Sequence, residues 1–318
     1  MNDLIYSLNA TMPVFLVIVA GFLLKKAGFF NEGFISASDK FIFHVALPVM
    51  VFSDMAQSDL KADMQLPLVG YAAAATTAAF IFIWALSRLF IKDRSITGAF
   101  VQAAYRSSVA VMGFAFMQNI YGGVGLMPMI VIGCVPLYNI YAVTVLTFES
   151  VSQDKGSGRD KIKKSLVGIC KNPIIISIVL GTAASLSGVY AHFPVIAVKT
   201  LSSISSIATP LSLIVIGASF KGVEALKKLR PTVICCIIKL IVMPLVFVTI
   251  AVKAGFTGQA LLALVIMLGS PTTPSCYIMA KNMGNDEVLT SSVITATTFF
   301  SSVTLTLCIY LCRSMGVI

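Results

Sequence analysis

Apolar residues gather along this chain into ten long runs, near 4–24, 35–56, 66–91, 95–120, 124–148, 167–190, 194–220, 229–254, 258–282 and 287–312, separated by short polar turns. A helix needs roughly 20 mostly apolar residues to cross the hydrocarbon of a bilayer. Backbone polar groups in lipid must be satisfied within the segment, so helices are the natural reading of each run. The pattern predicts an all-α membrane protein of ten transmembrane helices with little chain left over.

The runs are punctuated in a repeating way. Pro13, Gly21 and Gly28 recur as Pro173, Gly181 and Gly188, 160 positions on, and Thr97-Gly98 recurs as Thr257-Gly258 at the same offset. Ala46-Leu47-Pro48 recurs as Ala208-Thr209-Pro210, 162 positions on. Several coincidences in register predict two five-helix repeats, 1–148 and 172–318, joined by a hydrophilic cytoplasmic linker, 149–171, that contains Asp154-Lys155-Gly156-Ser157-Gly158-Arg159. Five is odd, so the second repeat is expected to enter the membrane in the opposite direction. Two inverted halves of one design give a molecule two related conformations, one open to each side, which is alternating access.

Composition agrees. The chain is 58% hydrophobic and 11% charged, with a mean hydropathy of +0.94, more apolar surface than a soluble fold of this length can hide. The net charge of +10 is explained by its placement. Loops after odd-numbered segments hold 16 of the Lys and Arg residues, whereas loops after even-numbered segments, with the C-terminus, hold 3. Cationic residues near helix ends stay cytoplasmic, so both termini are expected outside a bacterial inner membrane, and no nucleic-acid role is expected. Lys25-Lys26 follow the first segment and Asp3 precedes it, the reverse of a cleavable signal. The seven cysteines fall mostly in apolar runs without a CxxC pair and are expected to be packing thiols, with neither disulfides nor a metal site. No GxxxxGK[ST] motif or HExxH motif is present, which argues against an ATP-driven pump and against an enzyme. No cofactor is expected.

The candidate chemistry lies in two segments. The ninth contains Leu268-Gly269-Ser270-Pro271-Thr272-Thr273-Pro274-Ser275, through which a helix cannot run undisturbed. Such a break is tolerated in the membrane where it lines a cavity. The matching stretch of the fourth segment is Ala103-Ala104-Tyr105-Arg106-Ser107-Ser108-Val109-Ala110-Val111-Met112-Gly113. Counted from Ser95, Arg106 lies about 11 residues in, roughly 17 Å deep at 1.5 Å per residue. A charge there costs on the order of 3 kcal/mol, which makes an intramembrane arginine a functional hypothesis by default. A structural clamp on carbonyls of the broken helices is the other reading.

By the same count Lys239 sits roughly 14 Å in from Arg230, either as a second buried cation or snorkelling toward water. Asp39, Asp54 and Glu149 fall toward segment ends, so no carboxylate is expected at mid-depth to neutralise either cation, and a bound anion would do so. Two half-helix N-termini pointing at the crossing would add positive potential. Arg106, Ser107, Ser108, Ser270, Pro271, Thr272, Thr273 and Ser275 are therefore the expected substrate-binding residues. Lys239, His44, Gly113, Pro48 and Pro210 are expected as coupling or supporting residues, His44 as a group that can titrate or as a packed histidine.

Pro13 to Gly28 with Lys25, Ala46-Leu47-Pro48 followed by Phe52, Asn172-Pro173, the run Pro210 to Ser219, and Pro271 to Asp286 with Ala280 and Gly284 together make the chain resemble a bacterial member of the auxin efflux carrier family, in the wider group that includes bile-acid sodium symporters. The resemblance spans nearly the whole sequence. It implies segments 1, 2, 6 and 7 as a scaffold, segments 3–5 and 8–10 as a mobile transport unit, broken helices 4 and 9 crossing, and a homodimer formed through the scaffold. It also implies transport of small organic anions, auxin in plants and carboxylates such as malonate or malate in bacteria. Relatives commonly carry Arg-x-Asn and Gly-x-Pro in segment 4, whereas here Ser108 replaces the Asn and Ala115 the Pro. The fourth helix is thus expected to bend less sharply, at Gly113.

The expected function is secondary active transport of a small organic anion by alternating access, elevator-type, coupled to H⁺ or Na⁺ or neither. A passive anion channel and a membrane-embedded anion sensor are the alternatives.

Overall fold

The computed structural model describes residues 2–57, 65–109, 113, 116–117, 125–150, 167, 171–220 and 222–318. Most of the expected linker, together with Lys61, Ala110–Met112, Ala115, Cys170 and Lys221, lies outside the described residues.

Every regular element among the described residues is helical. In chain order they are α1 (Asn2–Lys26), α2 (Glu32–Phe41), α3 (Leu47–Gln57), α4 (Leu66–Phe90), α5 (Thr97–Tyr105), α6 (Met127–Phe148), α7 (Pro173–Ser187), α8 (Val195–Ala218), α9 (Gly222–Lys227), α10 (Leu229–Ile237), α11 (Met243–Lys253), α12 (Gly258–Gly269), α13 (Ser275–Asn282) and α14 (Glu287–Ser314). Among the described residues, six helical stretches are long and apolar enough to cross a membrane: Glu32–Gln57, Leu66–Phe90, Met127–Phe148, Val195–Ala218, Leu229–Lys253 and Glu287–Ser314. The chain is a multi-pass membrane protein.

Two of these stretches contain a π-turn, Ile42–Ala46 between α2 and α3 and Ile238–Val242 between α10 and α11. Each is followed after one residue by a proline, Pro48 or Pro244. Proline has no N–H to donate and its ring clashes with the carbonyl four residues back. A single wider turn relieves both problems without ending the helix. His44 lies in the first π-turn and Lys239 in the second.

Helix packing uses small residues, as expected where lipid competes for apolar contact. α1 lies along α8, with Gly21 against the backbone of Ile214 and Gly217 against that of Ile18. A β-carbon on Gly21 would come within 2.2 Å of the Ile214 carbonyl oxygen, and one on Gly217 within 1.9 Å of the Ile18 oxygen. α7 packs on α3 in the corresponding way, Gly181 meeting the backbone of Phe52. Gly21 and Gly181 are the repeat-related pair of the sequence, and Phe52 and Ile214 keep the offset of their own segments, so one contact occurs twice.

The long helices turn apolar side chains outward, among them Ile81, Phe82, Leu89 and Phe90 of α4, as does the shorter α7 with Val179 and Leu180, while the helices around the interruptions are sheathed. All nine residues of α5 are buried, as are Leu261–Gly269 of α12 and Ser275–Ala280 of α13. α5 is pinned by Tyr105, whose hydroxyl donates to the Tyr138 carbonyl at 3.0 Å, within a stack that includes Phe80 and Tyr141.

Ion pairs collect at the ends joined by the Lys/Arg-rich loops. Arg88 pairs with buried Glu149 at 2.8 Å, and Lys228 with Asp286 at 2.8 Å. Asp93 accepts from the hydroxyl and the N–H of Ser95, which holds its carboxyl below the ordinary carboxylate range. Lys281 of α13 pairs with Asp39 of α2, whose carboxylate is buried.

Candidate functional site

α5 and α12 both stop inside the sheath. Arg106 is extended, with φ −81° and ψ 131°, and so is Ser270, with φ −64° and ψ 147°. The groups freed by the two interruptions satisfy each other. The Ser108 N–H donates to the Pro271 carbonyl at 2.8 Å, and the Thr272 hydroxyl donates to the Ala103 carbonyl at 2.8 Å. The Thr272 N–H donates to the Thr297 hydroxyl of α14 at 3.2 Å, while the Ser270 hydroxyl returns to the Ile266 carbonyl at 2.6 Å. Unpaired backbone groups in hydrocarbon cost several kcal/mol each, so these bonds are what allow the interruptions to exist.

The fourth segment is interrupted at 106–108, where the opposite interruption supplies the carbonyl that Ser108 needs. The expected bend at Gly113 falls between residues outside those described, and a β-carbon on Gly113 itself would meet the Met127 side chain at 2.7 Å.

Arg106 is 6% exposed. Its Nη2 donates to Asn139 Oδ1 at 2.7 Å and its Nη1 to the Met279 sulfur at 2.9 Å. Asn139 is itself held by a bond from its Nδ2 to the Val135 carbonyl at 3.0 Å. None of the described ion pairs includes Arg106. A guanidinium has five N–H donors, and two of these have described acceptors.

Arg106 opens onto a cavity of about 50 Å³, space enough for a few waters or a solute of a few heavy atoms. Of the expected binding residues, Arg106, Ser107, Ser108, Thr273 and Ser275 line it. Ser270, Pro271 and Thr272 are buried but do not; their polar groups hold the backbone. Sequence reasoning missed the rest of the polar wall: Asp54, Tyr138, Asn139, Thr209 and Ser212.

Asp54 corrects an expectation. Counting along the helix put it toward a segment end, yet it shares the cavity with Arg106. The available signal was its spacing. Leu47, Met50, Val51 and Asp54 recur at i, i+3, i+4 and i+7, one face of α3, and all four line the cavity. The repeat offered the same hint, since Leu47 and Met50 correspond to Thr209 and Ser212 of α8, which also line the cavity.

Lys239 is fully buried rather than snorkelling. Its Nζ donates to the Ser107 hydroxyl and, at 3.3 Å, to the Leu268 carbonyl in the last turn of α12. A cation is favourable at a helix C-terminus, so Lys239 offsets the negative end of α12 and ties it to the facing interruption. It does not line the cavity. His44 is exposed but hydrogen-bonded, its Nδ1 lying 3.0 Å from the Lys40 carbonyl oxygen and its ring edge-on to Phe43 at 5.1 Å between centroids. Pro48 is buried and Pro210 exposed, each beside a lining residue, Leu47 and Thr209.

Over 308 residues the chain is 24% identical to an uncharacterized transporter of Methanothermobacter thermautotrophicus, covering 95% of this chain and 97% of that one. Over 314 residues it is 23% identical to a protein of Rhizobium meliloti named "Putative malonate transporter", covering 95% of each. An uncharacterized transporter of Methanocaldococcus jannaschii is 22% identical over 300 residues, 92% of this chain and 95% of that one. The profile of the family described as "Membrane transport protein" matches residues 6–309, and with nearly the whole chain inside that match the protein belongs to this family, that of the auxin efflux carriers, and is a transporter rather than an enzyme.

Proposed function

We propose that this protein is a secondary carrier of small organic anions, working by elevator-type alternating access with Arg106 as the residue that receives the carboxylate. The observation that carries this reading is the placement of Arg106: a buried guanidinium at a helix interruption, outside every described ion pair, opening onto a cavity. Three of its five N–H donors have no described acceptor, and the carboxylate of an anionic solute in the cavity can supply one. Ser108, Thr273 and Ser275 provide hydroxyls beside it, and α13 begins at the cavity wall and turns its positive end toward it. The name of the Rhizobium meliloti relative points to the same class of substrate.

In this reading the ten apolar segments form two inverted repeats. The duplicated contacts Gly21 with Ile214 and Gly181 with Phe52 support that pairing. α1–α3, α7 and α8, which pack on one another, form the scaffold, also the surface of a homodimer. α4–α6 and α10–α14 form the moving unit. Both termini face outside.

Counterflow in proteoliposomes tests the proposal. Purified protein preloaded with malonate or lactate is expected to accumulate the labelled anion with saturation, and Arg106→Ala to abolish the accumulation. Non-saturating flux would make the protein a pore, and unchanged counterflow in Arg106→Ala would remove Arg106 from the site.

A further inference from the structure

Consecutive residues at the first interruption are bonded to consecutive residues of α6. The Tyr105 hydroxyl donates to the Tyr138 carbonyl at 3.0 Å, and Arg106 Nη2 donates to Asn139 Oδ1 at 2.7 Å. Val135, Tyr138 and Asn139 stand at i, i+3 and i+4, so one face of α6 lines the cavity that Arg106 and Ser107 also line. Asn139 is 1% exposed. Its amide bridges two groups of opposite kind, since the guanidinium only donates and the Val135 carbonyl, which takes Nδ2 at 3.0 Å, only accepts. The amide therefore has one orientation, with Oδ1 toward Arg106.

We propose that Asn139 is a positioning residue of the anion site: it aims the Arg106 guanidinium at the cavity through one neutral hydrogen bond, and as an amide rather than a carboxylate it leaves the guanidinium to the solute. This rests on the anion-carrier reading above and deepens it. A carboxylate at this position would have nearly the same shape and would reach the same nitrogen. It would form a charge-assisted pair with Arg106 and take the place that the substrate's carboxylate is to fill. An amide oxygen fixes the planar guanidinium without competing in charge. The second described acceptor, the Met279 sulfur, is also uncharged. In the elevator reading α5 and α6 belong to one moving unit, so the pairing travels with Arg106 and its aim is kept whichever side the site opens to.

The test uses the full-length protein in detergent at neutral pH, with malonate and lactate as probes, affinities measured by calorimetry and the unliganded melting point measured alongside. Asn139→Asp is expected to weaken binding of the tighter probe about a hundredfold or more. Asn139→Leu, which keeps the volume and loses the acceptor, is expected to weaken it about tenfold. A purely structural role for Asn139 makes affinity follow stability across these variants. Positioning makes the two diverge: Asn139→Asp melts no lower than Asn139→Leu, because its carboxylate pairs with Arg106, and yet binds more weakly. Should Asn139→Asp fail to fold, Asn139→Leu decides alone, a tenfold loss supporting the inference and wild-type affinity overturning it.

Asn139→Asp binding the probes as tightly as Asn139→Leu overturns the inference. Arg106→Gln in the same assay separates this inference from the carrier reading. If Arg106→Gln abolishes binding while Asn139→Asp binds like the wild type, the carrier reading stands and the role of Asn139 falls. If Arg106→Gln binds both probes like the wild type, or if neither probe binds the wild type, both fall.

Discussion

Arg106 and Lys239 are both buried cations beside the same pair of helix interruptions, yet they are used in opposite ways. Lys239 has no exposed surface and spends its ammonium on two protein oxygens, the Ser107 hydroxyl and the Leu268 carbonyl. Arg106 bonds to an amide oxygen and a thioether, neither of them charged, and lines a cavity. One cation joins two elements of the fold, and the other faces a cavity that Asp54 also lines. Depth in the membrane is therefore a poor guide to role, and what a charge touches is a better one.

Five substitutions break or sharpen that contrast. Arg106→Ala has the largest expected effect on binding, a loss of about a hundredfold or more for the tightest anion, with the midpoint of thermal unfolding in detergent moved by only a few degrees. Lys239→Met is expected to do the reverse, lowering stability by roughly 2–3 kcal/mol because the Leu268 carbonyl and the Ser107 hydroxyl lose their partner in a dry interior. Comparing the two melting curves checks this, and an arginine variant that melts lower than the lysine variant would invert the assignment. Gly217→Ala is expected to cost about 1–3 kcal/mol through overpacking against the Ile18 backbone, leaving residual ligand affinity unchanged. The smallest effects distinguish hydroxyls of the ninth segment: Ser275→Ala, at the cavity wall, is expected to weaken binding about fivefold, and Ser270→Ala, whose hydroxyl stays within α12, to leave the binding isotherm unaltered.

Much of this was legible in the sequence because lipid enforces simple rules. A segment in hydrocarbon must be apolar and helical, so its extent is visible as composition, and Pro271 and Pro274 mark one interruption directly. Arg106 stood out because a charge amid such residues needs a reason. The partners of the interruptions were less visible, since the bond from Ser108 to Pro271 joins segments far apart in sequence and no local pattern encodes it. Hydroxyl-rich stretches also gave no sign of which members would hold backbone and which would face the cavity. Ser270 and Thr272 went one way, Thr273 and Ser275 the other. Asp54 escaped notice because distance along a helix was read as distance from water, while the cavity reaches toward that end of α3.

The pairing of Asp39 with Lys281 bears on how the molecule can move. It fastens α2 to the half-helix that follows the second interruption, and the Asp39 carboxylate has almost no contact with solvent. In the alternating-access reading, drawing α13 away from α2 would leave the Asp39 carboxylate without its ammonium partner. Lys281 also faces Glu287 and, with Lys25 and Lys26, lines an open cleft at that end, so water and other cations stand within reach of the vacated carboxylate and soften the cost of parting on that side.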